Sequence, residues 1–332
     1  MFQSSGVPDN CQATCVSSGR WRGWRDAMQD ALYGSRGFYR SSGAPARHFR
    51  TSAHTSPAWT AALGALAAGI DERLGRPDSF SVVDMGAGGG ELLASLSGSS
   101  PARWRLVGID VAPRPSGLPE RVEWRETLPD VVDGLLIAVE WLDVVPVDCV
   151  ELTDAGVRVL EVDDTGEERV AGPPSEADTN WLTSWWPLAD VGDRAEIGRP
   201  RDEAWGRALS RLRRGLAVAV DYAVDPRRDV AGTLTGYHHG RQVLPVPDGS
   251  MDLTAHVMFE SLPRDGELAR LVTQREALRE LGISGARPTY DSDPSAYVAA
   301  LSHAGAEAEL LARSGLGEHR WLMIEQGLGE EM

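Results

Sequence analysis

The chain has 332 residues, 42% of them hydrophobic and 25% charged, with a formal net charge of −16 at pH 7. That is the profile of a soluble globular protein with a sizeable core, and its acidic surface argues against a nucleic-acid substrate. No run approaches the about 18–20 apolar residues needed to cross a bilayer, and no basic-then-apolar N-terminal leader is present, so a cytoplasmic location is expected.

The three cysteines, Cys11, Cys15 and Cys149, cannot form a disulfide framework, and Cys11-x-x-x-Cys15 lacks a second pair with ligand spacing, so no metal site is expected. Residues 1–20 are Ser-rich and aperiodic and read as a disordered extension. From Trp21, apolar residues recur at helical spacing through Leu32. A polar stretch including Thr51 and Ser52 precedes a long helix from about Pro57 to Leu74, with Ser56 as N-cap. Its hydroxyls either fold over a bound cofactor or only cap and turn.

The next stretch organises the chain. Val82-Val83-Asp84 is a short buried strand ending in an acid, Gly86, Gly88 and Gly90 make a turn, and an apolar-periodic helix starts at Glu91. Such a turn aims the free N–H groups of a helix N-terminus at a ligand. The dinucleotide fingerprint needs a glycine where Glu91 stands, which disfavours a nicotinamide dehydrogenase. The pattern Asp-x-Gly-x-Gly-x-Gly instead resembles motif I of class I S-adenosylmethionine (SAM) methyltransferases. A second strand, Arg105–Ile109, delivers Asp110 about 20 residues after the turn, placed to accept from ribose hydroxyls.

A third strand, 121–126, ends at Glu126, and a fourth, 134–141, exits into Glu140, Asp143 and Pro146. Ligands of open α/β sheets bind outside the carboxyl ends of the strands, so these acids are well placed for chemistry. Residues 149–153, 157–162 and 168–170 alternate apolar and polar as an antiparallel meander. Trp181, Trp185 and Trp186 follow on a short helical segment, as a core anchor or a partner patch. An Arg-studded helix over 202–214 leads to a fifth strand at 215–222, a helical block spans about 264–304, and a strand pair is expected at 307–311 and 321–326.

Taken together, several stretches resemble the MidA-like SAM-dependent methyltransferase family, whose mitochondrial members are protein arginine methyltransferases. They include His48-Phe49-Arg50-Thr51-Ser52, the Asp84–Gly90 turn, Glu140-Trp141-Leu142-Asp143-Val144-Val145-Pro146-Val147, Val220-Asp221-Tyr222 and Asp252-Leu253-Thr254-Ala255-His256-Val257. The resemblance implies an α/β class I (Rossmann-like) sheet of seven strands in the order 3-2-1-4-5-7-6, mostly parallel with an antiparallel last strand. A β-meander and Trp-rich insertion (147–200) would separate the N-terminal SAM-binding half (21–146) from the rest of the sheet and a substrate-side helical insertion (201–332). It implies S-adenosyl-L-methionine as cofactor, held by Thr51, Ser52, Asp84, Gly86, Gly88, Gly90, Asp110 and Glu126, and methyl transfer to arginine on a protein partner. Glu140 and Asp143 are the candidate catalytic acids, with Asp252 and His256 as outer participants; Glu140 alternatively contacts the cofactor, and His256 is alternatively structural. Val139, Ala223 and Met258 stand where the family pattern has Asn, Gly and an acid, which supports the alternative of a non-catalytic assembly scaffold.

Overall fold

The computed structural model describes residues 20–40, 57–290 and 293–328. In chain order, β1 (Arg22–Gly23) leads into α1 (Trp24–Tyr33), and α2 (Pro57–Arg73) precedes β2 (Ser81–Met85) and α3 (Glu91–Ser99). Next come β3 (Arg105–Ile109), β4 (Val122–Arg125), β5 (Val132–Val139), β6 (Cys149–Thr153), β7 (Gly156–Val162) and β8 (Glu168–Val170). Helix α4 (Glu176–Trp185), β9 (Arg194–Glu196), α5 (Arg199–Leu209) and β10 (Leu212–Asp221) follow. The chain continues through β11 (Thr235–His238), β12 (Arg241–Val243), β13 (Asp252–Thr254), β14 (Leu268–Thr273), α6 (Gln274–Glu280), α7 (Pro294–Leu310) and β15 (Arg320–Gln326).

The main sheet runs β14-β15-β10-β5-β2-β3-β4. Counted along the chain this is the expected order 3-2-1-4-5-7-6. Every neighbouring pair from β4 to β10 is parallel, and β15 is antiparallel to both β10 and β14. Alternate side chains of the central strands point to opposite faces, so each strand feeds two cores. On one face Val82, Leu106, Leu135, Ile137, Val218 and Val220 pack with α2, α3, α6 and the end of α7. There the Trp59 and Trp321 rings meet edge to face at 5.3 Å. On the other face Val83, Val107, Leu136, Ala138, Ala217 and Ala219 pack with Trp205 and Ala208 of α5 and with Val257 and Phe259.

The meander forms as expected, but it is not confined to residues 147–200: β1 pairs with β7, so the sheet reads β1-β7-β6-β9, with β8 on β7. Strands β12-β11-β13 make a third, small sheet. Helix α1 lies between the meander and this sheet, burying Trp24, Met28 and Leu32 against Val147, Leu160, Val162 and Leu253. Among the Trp-rich residues, Trp181 and Trp186 are buried and Trp185 is 39% exposed, which is the core-anchor arrangement.

Several boundaries differ from the sequence expectation. The helix expected over 202–214 starts earlier, at Arg199, and stops at Leu209, because Arg213 and Arg214 already lie in β10 beside Asp133. The block expected to be helical from 264 opens instead with β14, an exposed edge strand whose alternation is weak. Residues expected as a strand at 307–311 are the last turn of α7 and its C-cap; the partner of β15 is β14. The fourth strand ends at Val139 rather than 141, because Glu140 turns the chain with φ of 49°. Among the described residues, no helix is long and apolar enough to cross a membrane.

Candidate active site

The carboxyl ends of β2, β3, β5 and β10 open into a cavity of about 450 Å3, which is the size of a small-molecule or cofactor site. One end is built by the glycine turn. Gly86, Gly88 and Gly90 have φ of 68°, 56° and 76°, a region where side chains other than glycine are strained. The N–H groups of Gly86 and Ala87 donate to the Ile109 carbonyl at 2.8 and 3.2 Å, tying the turn to β3. Gly90 caps α3 and faces Leu118 and Trp124 rather than the cavity. A Cβ on Gly86 would meet Trp141 at 2.8 Å, whereas one on Gly88 would have only the Gly86 carbonyl oxygen near it, at 4.0 Å. The turn is thus packed from below at Gly86 and open above Gly88.

Four carboxylates line this end: Asp84, Glu91, Asp110 and Glu126. Asp110 accepts from the N–H of Gly88 at 2.8 Å and of Ala112 at 2.7 Å, one on each oxygen. The carboxylate retains acceptor capacity for a hydroxyl. Burial raises the Asp110 carboxyl despite these bonds. Burial likewise raises Asp84 to about 8, with the Asp110 and Glu91 charges adding to it. Four carboxylates crowded at one turn are suited to a ligand bearing positive charge and hydroxyls.

The other end is acidic and aromatic. Glu140, Asp143, Asp252 and His256 all line it, together with Tyr33, Tyr39, Trp141, Tyr222 and Tyr237. Tyr39 donates to the Asp252 carboxylate at 2.8 Å, and Tyr33 donates to the Val144 carbonyl at 3.0 Å. The Tyr33 and Tyr39 rings stack at 5.6 Å, and Tyr222 stacks on His256 at 5.8 Å. Burial, followed by the Asp143 charge, raises Asp252 to about 7. Asp143 rises to about 6 through burial, held back by the Arg201 cation. Its Oδ1 is buried with no hydrogen-bond partner among the described residues. An unpartnered buried carboxylate oxygen is costly unless a donor arrives.

Two residues without an assigned role in the sequence reading hold this end together. Asp221, at the end of β10, accepts from the N–H groups of Leu142 and Asp143 through one oxygen, at 3.0 and 3.1 Å. Arg201 is 1% exposed and donates to the carbonyls of His256 at 2.6 Å, Asp143 at 2.8 Å and Val145 at 3.4 Å. It thereby joins the Asp143 loop to the Asp252–His256 segment. The sequence did carry a signal for it: Arg201 falls at helical spacing with Ala204, Trp205 and Ala208, on the apolar face of α5. Charge on that face needs an internal partner.

Thr51 and Ser52 lie outside the described residues. The other expected site residues gather around the cavity, with Gly90 set back behind the turn. Of the three departures from the family pattern, Val139 lines the cavity. Met258 is buried against Trp181 and Trp186, and Ala223 packs below the sheet; neither is on the cavity wall.

Residues 102–276 match a protein-family model described as "Putative S-adenosyl-L-methionine-dependent methyltransferase". The chain belongs to this family. Its cofactor is S-adenosyl-L-methionine, and the hydroxyl-accepting and cation-accepting groups around the glycine turn fit that molecule. Among solved structures, the methyltransferase resembles a Burkholderia thailandensis protein described as "a COG1565 superfamily member and likely methyl transferase" bound to S-adenosyl-homocysteine. The two share 22% identity over 95% of this chain and 90% of that one, with a TM-score of 0.77. A native structure of an uncharacterized COG1565 superfamily protein from the same organism is similar at 23% identity, covering 94% of this chain and 89% of that one, with a TM-score of 0.76. No curated protein matches the chain.

Proposed function

We propose that this methyltransferase modifies an arginine side chain of a protein partner, with Glu140, Asp143 and Asp252 receiving the guanidinium. The observation that carries the reading is the acceptor end itself: three carboxylates and four tyrosines around one space, with an Asp143 oxygen left unpartnered. A planar guanidinium presents five N–H donors, matches carboxylates two at a time, and stacks on aromatic rings. A neutral acceptor would bring no charge-assisted donor to the unpartnered Asp143 oxygen.

On this reading Asp110 accepts from the ribose hydroxyls, and Asp84 and Glu126 share the cofactor end with the Gly86 and Gly88 backbone. The neighbouring structure with S-adenosyl-homocysteine bound supports this use of the fold. When bound, S-adenosyl-L-methionine supplies a methyl group carried on a sulfonium sulfur. Methylation of a guanidinium nitrogen releases one proton, and Glu140 is the group to receive it. It stands directly at the end of β5, in a left-handed backbone conformation that a turn toward the cavity requires. Asp252 and its Tyr39 partner orient the guanidinium, and Tyr222 and Tyr237 exclude water.

The test uses tritiated S-adenosyl-L-methionine and a lysate from cells lacking this protein. Labelled protein hydrolysed to amino acids should yield methylarginine, and Glu140→Gln should remove the label while S-adenosyl-homocysteine binding persists. Label on lysine or on a small molecule would overturn the arginine reading. No labelled product at all would favour the scaffold alternative.

A further inference from the structure

Beside the main cavity lies a second, more open one of about 630 Å3, formed where the β11–β12 hairpin faces the segment after β10. Tyr237 and His256 belong to the walls of both cavities. The two cavities therefore adjoin at these two side chains. Its wall includes the apolar Val243, Leu244 and Pro245, the polar Thr233, Thr235 and Gln242, and the acidic Asp229. Leu244 is 85% exposed, and Val243 36%. Strand β12 pairs with β11 and, among the described residues, with no other strand, so its outer edge is open.

Continuity with the acceptor space, an apolar shelf and an open strand edge together describe a seat for an extended chain. An extended segment sends residues i and i+2 to the same side, and an open edge offers backbone hydrogen bonds to it. We infer that this groove binds the polypeptide flanking the methyl acceptor, with an apolar residue two positions from the acceptor resting on Val243, Leu244 and Pro245. The occupant is a partner protein segment pairing a cationic acceptor with a nearby apolar side chain. Asp229 adds negative charge at the mouth, consistent with a segment of positive charge. This inference rests on the proposal that the acceptor is an arginine on a protein.

The experiment is fluorescence anisotropy with the full-length protein saturated with S-adenosyl-homocysteine. The probes are fluorescein-labelled nonapeptides of Gly and Ser with a central Arg and Leu two positions to either side. A second peptide replaces both Leu by Ser, and a third replaces the Arg by Gln. The Leu peptide should bind about tenfold more tightly than the Ser peptide, the scale of one well-covered leucine. Leu244→Asp, a change at an exposed position that leaves folding intact, should erase that preference. Tight binding that ignores Leu244→Asp, an absent Leu preference, or no binding by any peptide would overturn the groove. A Leu preference lost in Leu244→Asp but indifferent to Arg→Gln would keep the groove and remove the arginine reading. Binding that depends on Arg but not on Leu would do the reverse.

Discussion

Asp221 reaches across from the end of β10 and accepts the Asp143 N–H at 3.1 Å, with the Leu142 N–H on the same oxygen at 3.0 Å. One strand's last residue thus fixes the loop that leaves its neighbour. Burial and the Asp143 and Glu140 charges push the Asp221 carboxyl well above the usual range, so the contact holds two acids close together at an energetic cost. Asp221→Ala leaves two buried donors unpaired, each worth about 1–3 kcal/mol. Urea unfolding should show a loss of roughly 2–6 kcal/mol, and Asp221→Asn, which keeps an acceptor oxygen, a smaller one. Equal losses for the two variants would mean that these bonds do not hold the loop.

Arg201 links the same loop to the Asp252–His256 segment through three carbonyls. Arg201→Met fills the space but supplies no donors. Its expected cost is at least about 3 kcal/mol, read by chemical denaturation. Arg201→Lys should recover part of it, since one ammonium cannot span the three positions.

The glycine turn separates folding from ligand binding. Gly88→Ala puts a methyl group into open space and costs only the left-handed strain of about 1–2 kcal/mol. It should fold and yet bind S-adenosyl-L-methionine at least tenfold more weakly by calorimetry. Gly86→Ala meets Trp141 and should lose both stability and binding. Wild-type affinity in Gly88→Ala would move the cofactor away from the turn.

The pH dependence follows from acids whose folded pKa values are raised: Asp143 to about 6, Asp252 to about 7 and Asp84 to about 8. For such groups the folded state binds more protons than the unfolded one above about pH 4, so their stabilising contribution is lost as pH rises through the folded values. His256 and His319 are lowered by burial, His319 to about 4, and oppose this trend. Below about 6.5 they make stability rise with pH. Above about 6.5 the histidine contribution fades while Asp252 and Asp84 still titrate, so the unliganded protein should lose stability between about pH 6.5 and 8.5. Thermal unfolding across that window checks this, and a flat or rising profile would contradict it.

The parallel half of the sheet was legible because glycine spacing, short apolar runs and terminal acids all point the same way between Val82 and Glu140. Asp84, Gly86, Gly88, Asp110, Glu126, Glu140 and Asp143 could be named because they fall in the glycine turn or where strands end, and Asp252 and His256 because the Asp-Leu-Thr-Ala-His-Val stretch resembles the family's. Arg201 could be flagged by its place on the apolar face of α5, but not its role, because a sequence shows a charge and not the three carbonyls that accept from it. Strand β14 was missed for a different reason. Its outer residues are exposed, so Leu268–Thr273 carries little alternation, and only pairing with β15 reveals it. The end of α7 misled because an apolar pair, Leu310 and Leu311, closes an otherwise exposed helix.

The most direct measurement is a thermal shift with S-adenosyl-L-methionine, S-adenosyl-homocysteine, NAD and NADP on the wild type and on Asp110→Ala. Ligand at 100 times its dissociation constant adds about 2.7 kcal/mol to the native state. A shift with the two S-adenosyl compounds alone, lost in Asp110→Ala, is the predicted result. A shift with a nicotinamide cofactor, or an S-adenosyl shift untouched by Asp110→Ala, would contradict the site described above.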